Sequence, residues 1–406
     1  MTFDTIVADF GNLEGGQCLD NLEGCLYYMK IALVHDQLQE FGGAERVLVT
    51  FKKMYPDADV HTSFYSPQKL GRHAHLFKDW NIITSWADKV YPFKRFFSPF
   101  RFITPLLWKY FDFSKYDLVI SSSGAYVSKG VKTSGKTLHI CYLHHQPKYL
   151  YGYETPSNWQ KHLIIRIYGN FINHFLRMYD FSSSQTVDHF LVNSQEMQRR
   201  CTKFYRRDSM VVYPPVSIPE KIPAISPNSP KPGYYLSICR LSSPKHVDLL
   251  INAANKSHFA LKVVGTGGHE NYLRSIAGPT VEFVGSVPDK QFEELFAGAK
   301  AFLVAAVDEE FGIAPVEAQG RGVPVIAYNS GGLKETVHNG ENGFLFDELN
   351  ENSLLVAVNK LEKLSPGAYL AMKKAARKEA EKYSEAIFTN TIKQFVVKAL
   401  DTRNKS

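Results

Sequence analysis

The sequence predicts an α/β protein of two parallel-sheet domains, and three observations carry that prediction. At 406 residues the chain is too long for one comfortable core and suits two domains of roughly 150 to 200 residues. Short Val- and Ile-rich runs bounded by Gly, Pro and Ser alternate with amphipathic helical stretches, the pattern of buried parallel strands joined by crossover helices. Between the halves, residues 217–233 hold five prolines and little that could pack, which reads as a linker between domains able to close over a substrate. The chain divides into a non-core extension at 1–28, a first domain at 29–216, the linker, a second domain at 234–385 and a helical tail at 386–406.

Composition narrows the class. A hydrophobic content of 44% supports a globular protein, and the net charge of +7 fits an anionic substrate or an acidic membrane surface while being too diffuse to argue for nucleic acid. Five scattered cysteines without a C-x-x-C pair indicate neither a disulfide framework nor a zinc site and point to a reducing compartment. Nowhere does the sequence hold the roughly 18 consecutive apolar residues of a membrane span. The expectation is a cytoplasmic protein, with peripheral contact at the inner face of the cell membrane left open.

Residues 1–28 are acidic, Gly-containing and free of Lys and Arg. They read as an over-extended start or a dispensable tail, because KIALVHD after Met29 begins an apolar strand at once. The turn that follows carries Gly42-Gly43, which lets backbone approach a ligand or makes an ordinary tight turn. Tyr91 to Phe111 contains nine aromatics and four basic residues with no acid. That composition suits either core packing or a membrane interface, where rings and basic stems bury among headgroups. TLHICYLHHQPKYLYGY then ends a strand at Leu143, so His144 and His145 fall at its C-terminal edge, as hydrogen-bonders or ligand contacts. VDHFLVNSQEMQRR reads as a strand and a helix capped by Asn193 or Ser194. Arg199, Arg200, Lys203, Arg206 and Arg207 read as a solvated face.

The second half restarts the pattern with YYLSICRLSSPKHVDLL, a strand, a turn and a helix. Arg240 and Lys245 flank the turn as surface cations or as a diphosphate clamp. ALKVVGTGGHE gives another strand and a turn at Gly265, Gly267 and Gly268, and TVEFVGSVPDK a third. AFLVAAV and VPVIAY are buried strands on either side of DEEFGIAPVEAQGRG. The intervening helix starts near Gly312 and has its unpaired N–H groups at the strands' C-terminal edge, where anions bind. Glu309 and Glu317, eight positions apart, bracket that turn. Ionised carboxylates accept from hydroxyls, so they suit a sugar or ribose diol; they would also suit the positive end of a helix and a solvated helical face.

E-E-F-G-I-A-P-V-E resembles the E-x7-E motif of retaining GT-B glycosyltransferases of family 4 (glycosyl transferases group 1). The acidic Glu310, where the family usually has Gly, is similar to a subgroup of bacterial O-antigen and exopolysaccharide mannosyltransferases. LHHQPKYLY is similar to the family's H-T-P-x-R-Y-L-W, with His145, Gln146 and Lys148 in place of Thr, Pro and Arg. R-L-S-S-P-K matches its R-L-x-x-x-K. The resemblance implies a GT-B fold of two Rossmann-like domains facing across a cleft, with a C-terminal helix crossing back to the first.

It also implies roles. Arg240 and Lys245 would hold the donor diphosphate with the helix end at Phe311, Gly312 and Ile313. Glu309 would take donor-sugar hydroxyls, Glu317 the ribose diol, and His144 the sugar near the reacting centre. Gly42 and Gly43 would reach toward the donor phosphate, and the base would lie near Gly285 to Val287. The implied activity is metal-independent hexosyl transfer with retention and no cofactor, from a nucleotide sugar, GDP-mannose by the Glu310 subgroup, to a glycan or polyprenyl-linked acceptor in surface polysaccharide synthesis. A UDP-sugar donor, a sugar-nucleotide epimerase and a non-catalytic nucleotide-sugar-binding subunit are the alternatives.

Overall fold

The computed structural model describes residues 29–155, 163–220 and 233–404. The extension at 1–28 and most of the Pro-rich linker, 221–232, lie outside the described residues.

The first domain is a seven-stranded sheet in the order β3-β2-β1-β4-β5-β6-β7. Its strands are β1 (Ile31–His35), β2 (Asp59–Thr62), β3 (Ile82–Thr84), β4 (Leu118–Ser123), β5 (Leu138–Leu143), β6 (His189–Val192) and β7 (Ser209–Val211), all paired in parallel. β1, β4 and β5 are buried along their whole length, which explains why they read as continuous apolar runs and not as alternating ones. The second domain is a six-stranded parallel sheet in the order β10-β9-β8-β11-β12-β13. It comprises β8 (Tyr234–Ile238), β9 (Leu261–Val264), β10 (Val281–Gly285), β11 (Ala299–Val304), β12 (Val325–Tyr328) and β13 (Gly343–Phe346).

In each sheet the strand order reverses beside the first strand, between β1 and β4 and between β8 and β11. Ligands of open parallel sheets bind outside the carboxyl ends of the strands at such a reversal. The two reversal points face each other across a cleft.

The C-terminal helix α5 (Glu385–Asn404) crosses back to the first domain. Its Phe388, Ile392 and Val396 join the core that holds Phe51 and Tyr142, with the Phe388 ring 5.4 Å from Phe51 and 5.8 Å from Tyr142. Where the domains meet, Val216, Phe311, Val316, Ala380 and Tyr383 form a separate apolar cluster.

The structure divides one open reading, decides a second and overturns a third. The aromatic stretch breaks into the short helices Tyr91–Arg95 and Thr104–Lys109 with a 3-10 turn between. Ile103, Leu107 and Trp108 are core, while Tyr91, Phe96, Phe102 and Tyr110 are exposed, so the stretch divides between the two readings. Ser194 alone caps the helix α3 (Gln195–Tyr205), accepting from Met197 N; the Asn193 amide donates to the His144 carbonyl instead. Arg200 does not lie on a solvated face. It is 2% exposed and pairs with Glu196 on its own helix and with Asp308 of the other domain.

The first domain buries His61 and His139 away from the lining of the cleft between the domains. His61 bonds Tyr116 Oη at 3.0 Å and His139 bonds Ser121 Oγ at 2.9 Å. Burial lowers both pKa values from 6.5 to about 4, against an opposing pull from Asp59 on His61 and Asp188 on His139. Between these values the unfolded chain binds protons that the folded one does not. Stability is therefore expected to be full above pH 6.5 and to fall as the pH drops from 6.5 to 4, by about 1 to 3 kcal/mol for each histidine. Chemical denaturation at a series of pH values checks this, and a midpoint flat from pH 7 to 4.5 contradicts it.

Candidate functional site

The cleft has a volume of about 810 Å³ and is lined from both domains. From the second domain come the turns after β8 and β11 and the start of the helix α4 (Ile313–Gly320). Gly312 precedes this helix at φ +90°, a conformation that turns the chain sharply into it. The helix is short and almost wholly buried, Pro315 through Gly320 included, so its exposed N–H groups face the cleft with the positive end of its dipole.

The turn carrying Asp308 to Phe311 is held by a glycine pair that sequence reasoning passed over. Gly332 N donates to the Glu309 carbonyl at 2.7 Å. A Cβ on Gly331 would sit 2.1 Å from the Glu309 carbonyl oxygen, and one on Gly332 2.1 Å from that of Glu310. Only glycine permits this approach. The available signal was a second Gly-Gly just past the end of a buried strand.

Lys245 Nζ lies 2.5 Å from Glu309 Oε2. Arg240, half exposed, reaches Glu40 of the first domain at 2.8 Å. Glu317 Oε1 accepts from Arg46 Nη1 at 2.5 Å, a bridge across the cleft that spacing could not reveal. Lys148 Nζ meets Glu310 Oε1 at 2.8 Å. Burial pushes the Glu310 carboxyl up, but Lys148, His145 and Arg200 together outweigh it and hold the group down at about 2. Lys148 and Glu310, both departures from the family's usual residues, are thus partners of one another.

On the first-domain side, the loop at Gly42-Gly43 enters α1 (Gly43–Met54), and Glu45 reaches back to accept from Gly42 N at 2.7 Å. A Cβ on Gly43 would come 3.0 Å from Ile313 Cδ1, so this loop does reach across to the start of α4. His144 lines the cleft at the end of β5. Its Nε2 is 2.7 Å from Ser122 Oγ, which is 2.9 Å from His35 Nδ1, whose Nε2 is 3.2 Å from Glu45 Oε1. This buried polar chain ties His144 to the glycine loop. His35, Ser122 and Glu45 were not singled out from sequence, although His35 and Ser122 are polar residues at the C-terminal ends of apolar strands. Burial, reinforced by the neighbouring His35 and His145, lowers the His144 pKa well below 6.5, so its imidazole is neutral.

The structure therefore brings Gly42, Gly43, His144, Arg240, Lys245, Glu309, Phe311, Gly312, Ile313 and Glu317 to one cleft. The Phe311 side chain is buried against Tyr213 and Tyr383 where the domains join. Gly285 and Val287 are not on the cleft lining; the Val287 carbonyl accepts from Arg72 of the first domain. Among the described residues, no group of three or more His, Cys, Asp or Glu is placed to hold a metal ion.

Comparison with known proteins agrees with this architecture. The family model described as Glycosyl transferases group 1 matches residues 219–379, and the one described as Glycosyltransferase Family 4 matches 41–218. The chain is 23% identical over 285 residues to the UDP-N-acetylglucosamine--peptide N-acetylglucosaminyltransferase GtfA subunit of Streptococcus pneumoniae, covering 67% of this chain and 54% of that one. It is 31% identical over 118 residues to the GDP-mannose-dependent alpha-mannosyltransferase of Corynebacterium glutamicum, covering 29% of this chain and 28% of the relative. The chain thus spans between about a fifth and three-fifths of the length of the curated relatives it matches. The crystal structure of Anabaena HepE in complex with UDP and glucose superposes with a TM-score of 0.63 at 18% identity, covering 91% of this chain and 99% of that one.

Proposed function

The chain belongs to the family 4 glycosyltransferases of GT-B fold, and from that premise we propose that it transfers a hexosyl group from a nucleotide sugar, with retention, to a glycan or lipid-linked glycan acceptor in surface polysaccharide synthesis. The observation that carries this reading is the Lys245–Glu309 pair standing beside the N-terminus of α4, in a cleft where two sheet reversals face each other.

The chemistry follows from these charges. A donor diphosphate placed among Lys245, Arg240 and the α4 N-terminus meets preorganised positive charge as it leaves. Drawing Lys245 toward phosphate frees the Glu309 carboxylate for hydroxyls of the donor sugar. The bond between the anomeric carbon and the phosphate oxygen breaks, and the electron pair stays with the diphosphate. The acceptor oxygen bonds to the same face of that carbon, and its proton passes to the departing phosphate oxygen. Neutral His144 offers a hydrogen bond to the sugar without adding charge. With the diphosphate neutralised by side chains and helix end, no metal is required, and turnover is expected to persist in EDTA.

Glu317 lines the cleft and would accept from the ribose diol once Arg46 moves aside. Because a hydrogen bond to a charged group is worth about 1.5 to 3 kcal/mol, Glu317→Ala is expected to weaken nucleoside diphosphate binding about 10- to 100-fold. Unaltered affinity by calorimetry would count against the assignment.

GDP-mannose is the donor favoured by Glu310, shared with the mannosyltransferase subgroup, and by likeness to a GDP-mannose-dependent transferase. A UDP-sugar is the second reading, favoured by the longer match to the GtfA subunit. Thermal unfolding with GDP, UDP and ADP separates them, since a ligand at 100 times its dissociation constant adds about 2.7 kcal/mol to the folded state. Selective stabilisation by GDP supports the mannosyl donor, and selective stabilisation by UDP replaces it. No response to any nucleoside diphosphate overturns the nucleotide site.

A further inference from the structure

Helix α2 (Leu163–Gln185) is amphipathic the wrong way round for a helix packed on its own domain. Its buried residues are Asn173, Leu176, Asp180, Ser183 and Ser184, mostly polar and satisfied inside: Asn173 donates to the Tyr149 carbonyl, and Asp180 pairs with the fully buried Lys129. Its solvent face is apolar. Ile164 is 82% exposed, Ile167 62%, Phe171 64% and Met178 61%, with Phe175 beside them. No other part of the described chain covers this face.

The face continues into the aromatic stretch. Tyr168 Oη donates to the Pro99 carbonyl at 2.6 Å, joining α2 to the segment that exposes Tyr91, Phe96, Phe102 and Tyr110. Arg95, Lys109, Arg166 and Arg177 are exposed among these residues. Residues 89–111 contain no acid, and the single acid of α2 is the buried Asp180. The helix is about 35 Å long at 1.5 Å per residue, and no described helix is long and apolar enough to cross a membrane. An exposed apolar stripe whose charged neighbours within α2 and 89–111 are cations, with the exposed Asp112 just beyond its end, is the form that lies in a bilayer interface, its rings and aliphatic chains below the headgroups and its charges among them.

We propose that the apolar face of α2, with the exposed aromatics of 91–110, docks the first domain on an anionic lipid bilayer. The charge pattern selects lipid over a second copy of the chain, since stacking two such faces would bring like charges together. The face ends at the cleft, whose lining includes Arg101 and Tyr149, and Arg101 lies 4.3 Å from the Tyr149 ring. Docking does not depend on the transfer reaction proposed above, and its test reads no activity.

The test is sedimentation of the full chain with vesicles of phosphatidylcholine alone and of phosphatidylcholine with phosphatidylglycerol. The protein is expected to pellet with the anionic vesicles, to remain in solution with the neutral ones, and to be released by salt, since each cation near an anionic surface adds about fivefold to partitioning. The double variant I164E/F171E, at two exposed positions, should lose binding at least tenfold, and R166E/K109E should lose it comparably. Retained thermal unfolding midpoints show that both fold. If the wild-type chain stays in solution with anionic vesicles, or both double variants pellet as it does, the proposal is overturned. It is equally overturned by a soluble dimer, seen in sedimentation velocity, that I164E/F171E dissociates.

Discussion

Lys245→Ala is expected to lower turnover about 10²- to 10³-fold, the loss typical of removing one preorganised charged donor from a site where negative charge develops. The position of Lys245 makes the expectation specific. Burial works against its ammonium charge, but the Glu309 carboxylate 2.5 Å away outweighs it and raises the Lys245 pKa above 10.5. The cation is therefore present before any donor arrives, and in the proposed reaction it stands beside a helix N-terminus that would attract the same phosphate. Lys245→Arg restores the charge but spreads it over a planar fork on a longer stem, so only partial recovery is expected. Unchanged turnover in Lys245→Ala would remove this residue from the leaving-group site. Nucleotide affinity, measured separately, distinguishes a lost catalytic charge from lost binding.

Glu309→Ala is expected to cost at least about 10²-fold in kcat/KM, through lost hydroxyl contacts and through a cation left without its partner. The more telling quantity is the coupling. Side chains in direct contact lose energy non-additively, so the double variant Lys245→Ala/Glu309→Ala should fall well short of the product of the single losses. A double-mutant cycle on kcat/KM reads this directly. Strictly multiplicative losses would show that the two groups act independently, and the picture of a diphosphate drawing Lys245 away from Glu309 would fail.

Much of this site was legible in the chain because its signals are local. A run such as AFLVAAV, followed by a turn, a helix with Pro315 in its first turn and a second run VPVIAY, specifies a strand-helix-strand crossover by period and turn chemistry. That crossover places Glu309 and the α4 N-terminus at one sheet edge. Lys245 and Arg240 flank another strand-to-helix turn in the same domain and arrive at the same edge for the same reason. His144 was placed by the end of its strand.

What local patterns could not carry was pairing across the cleft. Arg46 and Glu317 are separated by 271 positions and meet only because the domains face each other. Arg200 shows the same limit from the other side. Its sequence neighbours are cations on a helix, which suggests a solvated face, but Asp308 and Glu310 of the second domain lie against that helix and bury it. Gly331 and Gly332 mattered through a backbone 21 to 23 positions away, which no periodicity reports.

By itself, then, the sequence determined two parallel-sheet domains, the strand ends at which a ligand could sit, and the grouping of cationic, acidic and histidine side chains at those ends, since these follow from spacing and side-chain chemistry within each βαβ unit. Tertiary structure alone decided that Glu317 is held by Arg46 and Glu310 by Lys148, that a buried chain from Glu45 through His35 and Ser122 orients His144, and that α2 turns its apolar face outward. Each is a contact that no local pattern of the chain contains, or the lack of one, and its energy depends on how strands, helices and domains pack against one another.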